Sequence, residues 1–262
     1  MKIDQDIADV LRASRFEGNR LVLQGQLDRK LYARVNDVIA ALGGEWKSGK
    51  VKAHVFAGDA RAAVEAALDA GIVKTAREAQ REDGWFPTPD ALAHEIVARA
   101  GVKFGDRVLE PSAGEGAIVG AALDAGALVV AVEMDAGRMG RLYARHGRAG
   151  DRLAVHTADF LALTTGKLSK FDAIVMNPPF SAPGRALADV DHVEHALTFL
   201  HEHGCLVAVM GAGVRFRKDR RAAMFRTRIA AMGGAFEELP AGSFRASGTD
   251  VNAVVLTVRG GR

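Results

Sequence analysis

The chain has one cysteine in 262 residues, and that scarcity excludes several chemistries at once. A single thiol, Cys205, cannot close an internal disulfide and leaves nothing for a cysteine-based zinc cluster. It stands in the apolar run "CLVAVM", where burial is the expected state rather than reactivity. No stretch approaches the roughly 18 uninterrupted apolar residues that a membrane helix needs. The N-terminus, "MKIDQDIADV", has acids where a secretory signal has a basic start followed by an apolar run. These absences read as a soluble intracellular protein without membrane contact. Internal repeats and low-complexity tracts are missing as well. What is present is 48% hydrophobic content, ample for the core of one large domain or two small ones.

Net charge is also slight, at +3, but the cations are unevenly placed. Arg215, Arg217, Lys218, Arg220, Arg221, Arg226 and Arg228 face a single acid, Asp219, within one short stretch. Such a run is either a solvated helix face or a surface for phosphates, because a polyanion rewards clustered cations through counterion release. Charge alone does not choose between them.

From about residue 105, short apolar runs alternate with helical patterns: "RVLEPS", a helix from Gly116, "ALVVAVEMD", a helix over "AGRMGRLYARHG", "RLAVHTADF", "FDAIVMNPPF", a helix over "DHVEHALTFLHEHG" (191–204), then "CLVAVMGAG". That rhythm predicts an α/β fold, Rossmann-like, with βαβ units around a mostly parallel sheet. A basic helix over about 219–232 follows, then two strands, "AFEELPA" and "VNAVVLTVR", joined by a tight "RASGTD" segment as an antiparallel hairpin at the sheet edge. Residues 1–75 read as a small separate α+β module. Leu31, Val35, Val38, Ile39 and Leu42 fall at helical spacing before a Gly43-Gly44 stop, a hairpin turns about Ser48-Gly49, and Asp59 caps a helix ending at Gly71. A polar linker, 76–85, precedes the main domain, 86–262.

Another absence shapes the reading of "VLEPSAGEG". The dinucleotide pattern G-x-G-x-x-G stops short here, with Gly114 and Gly116 followed by Val119. Glu110 and Glu115 in the turn would repel a pyrophosphate, so a cationic cofactor without phosphates fits better. S-adenosylmethionine, with its sulfonium and ammonium, is such a ligand. Glu133 ends the next strand where a carboxylate can accept from ribose hydroxyls, and Asp159-Phe160 ends the third, a pair suited to an adenine ring and its amino group.

Taken in order, "LEPSAGEG", Glu133, the "DF" at 159–160 and "NPPF" at 177–180 resemble the motifs of the class I, amino-directed DNA methyltransferases. "FPTPDALAHEIV" (Phe86–Val97) resembles the N-terminal cofactor segment of their adenine-specific branch. "GSFRASGTDVNAVVL" is similar to the closing hairpin of phage and prophage adenine methylases. The resemblance spans about residues 84–259. It implies that Phe86, Thr88, Pro89, Glu110, Pro111, Ser112, Ala113, Gly114, Gly116, Glu133, Met134, Asp159, Phe160 and Asn177 bind S-adenosylmethionine. Thr88 and Pro89 would wrap its methionine end.

It also implies that Asn177, Pro178, Pro179 and Phe180 are catalytic, acting on the exocyclic nitrogen of adenine. The side-chain oxygen of Asn177 and the carbonyl of Pro178 would accept the two amino hydrogens. Pro179 would stiffen the turn, and Phe180, exposed at the end of its strand, would stack on a base flipped out of duplex DNA. No general base and no metal are required. Carbon-5 cytosine chemistry is excluded, because Cys205 follows Gly204 at a strand start rather than standing in a Pro-Cys pair. The expected location is the cytoplasm of a bacterial or phage-infected cell, at the nucleoid.

Other patterns keep rival readings open. The motif "NPPF" also serves guanine or adenine amino groups in RNA and glutamine in release factors. A DNA-binding accessory subunit on a methyltransferase fold would need only the basic helix. No sizeable target-recognition domain accompanies the motifs, and the loop "SAPGRALADVD" is short. DNA contacts are therefore expected from Arg215, Arg217, Lys218, Arg220 and Arg221, together with Lys47, Lys50 and Lys52 of the N-terminal hairpin, in an enzyme without an obligate nuclease partner. Trp46 beside those lysines is as readily a packed ring as a DNA contact. Asp37 with Glu45-Trp46-Lys47 superficially matches a nuclease metal site, but Asp37 falls on a helix face. His192, His195, His201 and His203 are read as solvated helix residues rather than ligands.

Overall fold

In the N-terminal unit, Met1–Arg81, the side chains of Asp28 and Asp59 cap helices. The computed structural model describes residues 2–49, 51–56, 59–73, 86–247, 249 and 251–261, so the linker expected at 76–85 lies outside the described residues. The unit opens with elements that the sequence reading does not anticipate: α1 (Gln5–Ala13) and the hairpin β1 (Arg15–Glu17) and β2 (Arg20–Val22). Asp28 accepts from the N–H groups of Lys30 and Leu31 and begins α2 (Arg29–Ala41), which buries Val35, Val38 and Ile39. Gly44 follows in a space with no room for a side chain, since a Cβ would lie 2.6 Å from Ile39 and 2.7 Å from Phe56. The hairpin β3 (Glu45–Lys47) and β4 (Ala53–Val55) forms as expected. Asp59 caps α3 (Ala60–Ala70), and Gly71 ends it in the left-handed conformation. The four strands pair antiparallel in the order β1-β2-β4-β3.

The second unit, Glu82–Arg262, is built on a sheet of order β10-β11-β9-β8-β5-β6-β7. Strands β5 (Arg107–Glu110), β6 (Leu128–Glu133), β7 (Leu153–Thr157), β8 (Phe171–Met176) and β9 (Leu200–Gly211) pair in parallel; β11 (Ala253–Arg259) runs antiparallel to β9 and to β10 (Ala235–Glu238). Alternation along each strand separates two cores. Val108, Val175 and Val207 face α4 (Asp90–Ala100), α5 (Ala117–Asp124) and α6 (Ala136–His146). Leu109, Ile174 and Leu206 face α7 (Ala188–Ala196) and α8 (Arg220–Ala231). Among the described residues, no helix is long and apolar enough to cross a membrane.

Three expectations are corrected. The helix expected over 191–204 ends at Ala196, and a 3-10 turn leads into β9 at Leu200. The cause is the pairing of β9 with β8: Leu200 pairs with Phe171 and Cys205 with Ala173, so residues 201–204 bulge. Gly204 sits where a Cβ would lie 2.7 Å from Leu200 and 2.9 Å from the Asp172 carbonyl. Next, β10 and β11 do pair antiparallel, but "RASGTD" is only part of a longer connection from Glu238 to Ala253, in which Phe244 is buried and the Ser247 hydroxyl donates to the Pro87 carbonyl (2.6 Å). Finally, β7 stops at Thr157, and Asp159 opens a 3-10 turn by accepting from the Leu161 N–H.

Candidate active site

The loops leaving the carboxyl ends of β5, β6, β7 and β8 converge where the strand order reverses about β5, the crevice in which open α/β sheets bind ligands. In the first loop Gly114 and Gly116 take positive φ values of 54° and 87°. A Cβ on Gly116 would lie 2.8 Å from His146 and 2.9 Å from Leu142, so the loop runs against α6 as only glycine allows.

Glu133, buried at the end of β6, ties two loops together. Its Oε2 accepts from the Gly114 N–H (2.9 Å), and its Oε1 accepts from the Asp135 N–H (2.8 Å) and from the Arg138 guanidinium (3.0 Å). Arg138 is a site residue that the sequence reading missed. It leads a row on α6: Arg141 bonds Glu115 (2.7 Å) and Arg145 bonds Asp90 (3.1 Å). Spacings of three and four residues put the three guanidiniums on one side of the helix. The charge of Glu115 is thus balanced by Arg141, although Glu115 lines the same small cavity as Glu110.

Glu110 stands apart. It is 2% exposed, and its Oε2 has no hydrogen-bond partner. Burial pushes its carboxyl well above the usual carboxylate range, with the Val119 N–H opposing and the nearby Glu133 charge adding to the rise. It lines a cavity of about 70 Å³ with Phe86, Thr88, Ser112, Ala113, Gly114 and Asn177. A second cavity, of about 530 Å³, is lined by Pro111, Ser112, Glu133, Met134, Asp159, Phe160 and Pro179, among others. Ser112 borders both. Pro89 and Gly116 line neither; each stands instead at the residue before a helix, α4 and α5 respectively.

Asn177 follows β8 and is 7% exposed. Its Nδ2 donates to the Phe86 carbonyl and to the Thr88 hydroxyl, both at 3.0 Å. A carbonyl can only accept, so the amide is oriented with its nitrogen toward Phe86 and its Oδ1 left over. Pro178 is buried. Phe180 is half-buried rather than exposed, because Phe86 lies 5.9 Å away at a tilt and the buried Phe244 meets it edge-on at 6.4 Å. Beneath it, Gly211 donates its N–H to the buried Asp189 (3.0 Å), whose carboxyl burial pushes up to about 6. The Phe160 ring is likewise buried, stacked on His192 and edge-on to His195.

The basic run is largely spent inside the molecule. Arg215 bonds Glu238 (2.7 Å), Arg217 bonds Asp219 (2.8 Å), Arg221 pairs with Asp191, and Arg228 reaches Glu194 (3.5 Å). Lys218 and Arg220 are exposed. In the N-terminal unit Lys47 pairs with Glu45 (2.7 Å), Lys52 is exposed, and Lys50 lies outside the described residues. Trp46 is exposed on β3 with its ring tilted against His54, and Asp37 is on the exposed side of α2. His201 and His203 belong to β9, not to α7. Among the described residues, no group of His, Cys, Asp and Glu is arranged to hold a metal ion.

Residues 90–237 match the family described as the methyltransferase small domain. The chain belongs to that family. Among solved structures, this methyltransferase domain is similar to a modification subunit of a candidate type I restriction enzyme from Vibrio vulnificus YJ016, at a TM-score of 0.58 and 17% identity. That match covers 76% of this chain and 48% of the subunit, so the chain spans about half of its length. It is also similar to a candidate class I S-adenosylmethionine-dependent methyltransferase from Listeria monocytogenes (TM-score 0.56, 13% identity, 77% of this chain and 68% of that one). The 23S rRNA methyltransferase ErmE follows at 0.50 and 18%, covering 68% and 70%. At these identities the likeness is one of fold. No curated protein matches the sequence.

The cofactor of this class I fold is S-adenosylmethionine. The residues present fit it. Glu110 offers a buried carboxylate oxygen without a partner, which an ammonium group would satisfy, and Gly114 leaves room beside it.

Proposed function

We propose that this methyltransferase acts on the exocyclic amino group of adenine in double-stranded DNA. The observation that carries the reading is the orientation of Asn177, whose nitrogen is held by Phe86 and Thr88 so that Oδ1 remains free to accept.

The amino nitrogen of adenine is a poor nucleophile, because its lone pair is conjugated with the ring. Asn177 Oδ1 and the carbonyl of Pro178 would accept its two hydrogens and draw the pair back onto nitrogen. Pro179 fixes the backbone between them and Phe180, so the acceptors are positioned before substrate arrives. Bound S-adenosylmethionine supplies a methyl group activated by its sulfonium. Glu110 and Gly114 would hold the methionine end and Asp159 the adenine. Glu133 Oε2, with one lone pair engaged by Gly114, would accept from the ribose. Phe180 would bear on a base swung out of the duplex, an extrusion needed because the amino group is otherwise paired. A cytoplasmic protein working at the nucleoid follows from that substrate.

The type I modification subunit and the rRNA methyltransferase among the similar structures make DNA and RNA the two substrates to compare. Labelled methyl transfer to duplex DNA, RNA and protein in parallel tests the choice. Transfer to DNA, with the label recovered as N6-methyladenine, is expected; activity on RNA or protein alone overturns it. Asn177→Ala is expected to abolish transfer while cofactor affinity by calorimetry stays near wild type. A chain that binds no cofactor would instead be an accessory subunit.

A further inference from the structure

The segment between β9 and α8 presents one aromatic ring to solvent and holds its own backbone still. Phe216 is 66% exposed. Its N–H and that of Arg217 both donate to the Gly213 carbonyl (3.0 Å each). Arg226 reaches back from α8 to the carbonyls of Val214 (2.8 Å) and Arg217 (3.0 Å), and Arg215 is tied to Glu238. The Arg215 guanidinium also lies over one face of the Phe216 ring, 5.6 Å from its centroid, which leaves the other face to solvent. The exposure of Phe216 therefore comes from a fixed backbone.

The cations that remain follow it in the chain. Lys218 and Arg220, two and four residues beyond Phe216, are exposed, and the described structure gives their side chains no hydrogen bond or ion pair. The loop also begins at the catalytic edge of the sheet. Met176, the residue before Asn177, pairs with Ala208, and β9 ends at Gly211, where a Cβ would touch Phe180 at 3.5 Å. Asp189 anchors that same Gly211 N–H.

A rigid aromatic face with two free cations beside it, next to a base-acting site, matches the chemistry of an unpaired nucleotide. Base–aromatic stacking tolerates any base, and the cations take the phosphates. We propose that Phe216 stacks on an unpaired base next to the target nucleotide while Lys218 and Arg220 neutralise the adjoining phosphates. The contact supplies affinity and holds the strand open without reading its sequence. This inference rests on the nucleic-acid reading above, and it narrows the basic run to two cations and one ring.

The test uses the full chain and fluorescently labelled oligonucleotides: a fully paired duplex, the same duplex with one unpaired adenine flanked by an unpaired base, and a single strand. Phe216→Ala is expected to weaken binding of the unpaired and single-stranded probes roughly 10-fold, while Phe216→Trp restores it. The pair Lys218→Gln with Arg220→Gln is expected to lower the slope of log affinity against log salt by about 2. Cofactor affinity by calorimetry reports that each variant is folded and is expected to be unchanged. Equal affinity of Phe216→Ala and wild type for the unpaired probes overturns the inference, as does recovery by Phe216→Ala of the full salt-independent part of binding. If the wild type binds none of the probes, the nucleic-acid reading itself fails; if it binds and methylates them and Phe216→Ala binds them equally well, the stacking contact alone is refuted.

Discussion

Replacing Thr88 by Val keeps the shape of the side chain and takes one hydrogen-bond acceptor away from Asn177. The amide is 7% exposed, so the N–H that now reaches Thr88 Oγ1 at 3.0 Å would have no water to turn to. A buried donor left unpaired costs about 1–3 kcal/mol. That strain falls on the group that must stay oriented, because only the Phe86 carbonyl would still hold the nitrogen away from the substrate. If the cost is expressed in positioning, kcat falls roughly 5- to 150-fold, each 1.4 kcal/mol being about a factor of ten. Thr88→Ser, which keeps the hydroxyl, is expected to recover most of the rate. The assay is steady-state methyl transfer at saturating cofactor, paired with a calorimetric titration of S-adenosylmethionine. Wild-type kcat in Thr88→Val refutes the argument. So does a loss of cofactor affinity at unchanged kcat, since Thr88 would then serve the methionine end alone.

Further expectations concern titration and packing. The Glu110 carboxyl is held above its unfolded value of about 4.3, so the folded state binds its proton more tightly and the stability it contributes falls as pH rises above that value. Glu110→Gln is expected to flatten that fall in the cofactor-free protein, raising Tm at neutral pH, and to weaken S-adenosylmethionine binding; undiminished affinity would remove Glu110 from the cofactor site. Asp189, pushed up to about 6, follows the same sign: stability falls as pH climbs from about 4 to about 6, and Asp189→Asn should give a flatter denaturation profile across that window. Gly116→Ala forces a side chain into left-handed backbone, at about 1–2 kcal/mol, and into His146 besides; an unchanged urea midpoint would contradict the close approach of that loop to α6.

The path from sequence to site was uneven, for identifiable reasons. Glu110, Glu133 and Asn177 were legible because each ends an apolar run, and the end of a parallel strand is where an α/β sheet places its ligands. The α6 arginines were not, because Arg138, Arg141 and Arg145 have partners on three different segments, Asp90 lying 55 residues away from Arg145. Local pattern carries no signal for such a pairing. The helix expected through residue 204 failed where a tertiary constraint, the bulge of β9 against β8, outweighed a helical-looking run of histidines and glutamates. The "RASGTD" stretch read as a tight joint because its Gly, Ser and Asp residues are turn formers, yet the connection from Glu238 to Ala253 is longer, and Phe244 and Ser247 in it form a wall against Phe180 and Pro87.

The place of β11 bears on how the molecule is made. Strand β10 leaves the ribosome first, but its partner in the sheet is β11, which itself pairs with β9. Until Ala253–Arg259 emerge, the edge of β9 is bare and β10 has nothing to join, while the glycine loop, Glu133 and Asn177 have all been synthesised. The wall carrying Phe244 and Ser247 can settle over Phe180 and Pro87 only when that last piece slots in. A nascent chain thus holds its chemical groups well before it can enclose them, and the closing strand acts as a timer on the site. A chain stopped short of Ala253 is expected to be cut readily by protease along β9 and to transfer no methyl group; a protease-resistant, active truncation would show that the sheet closes without it.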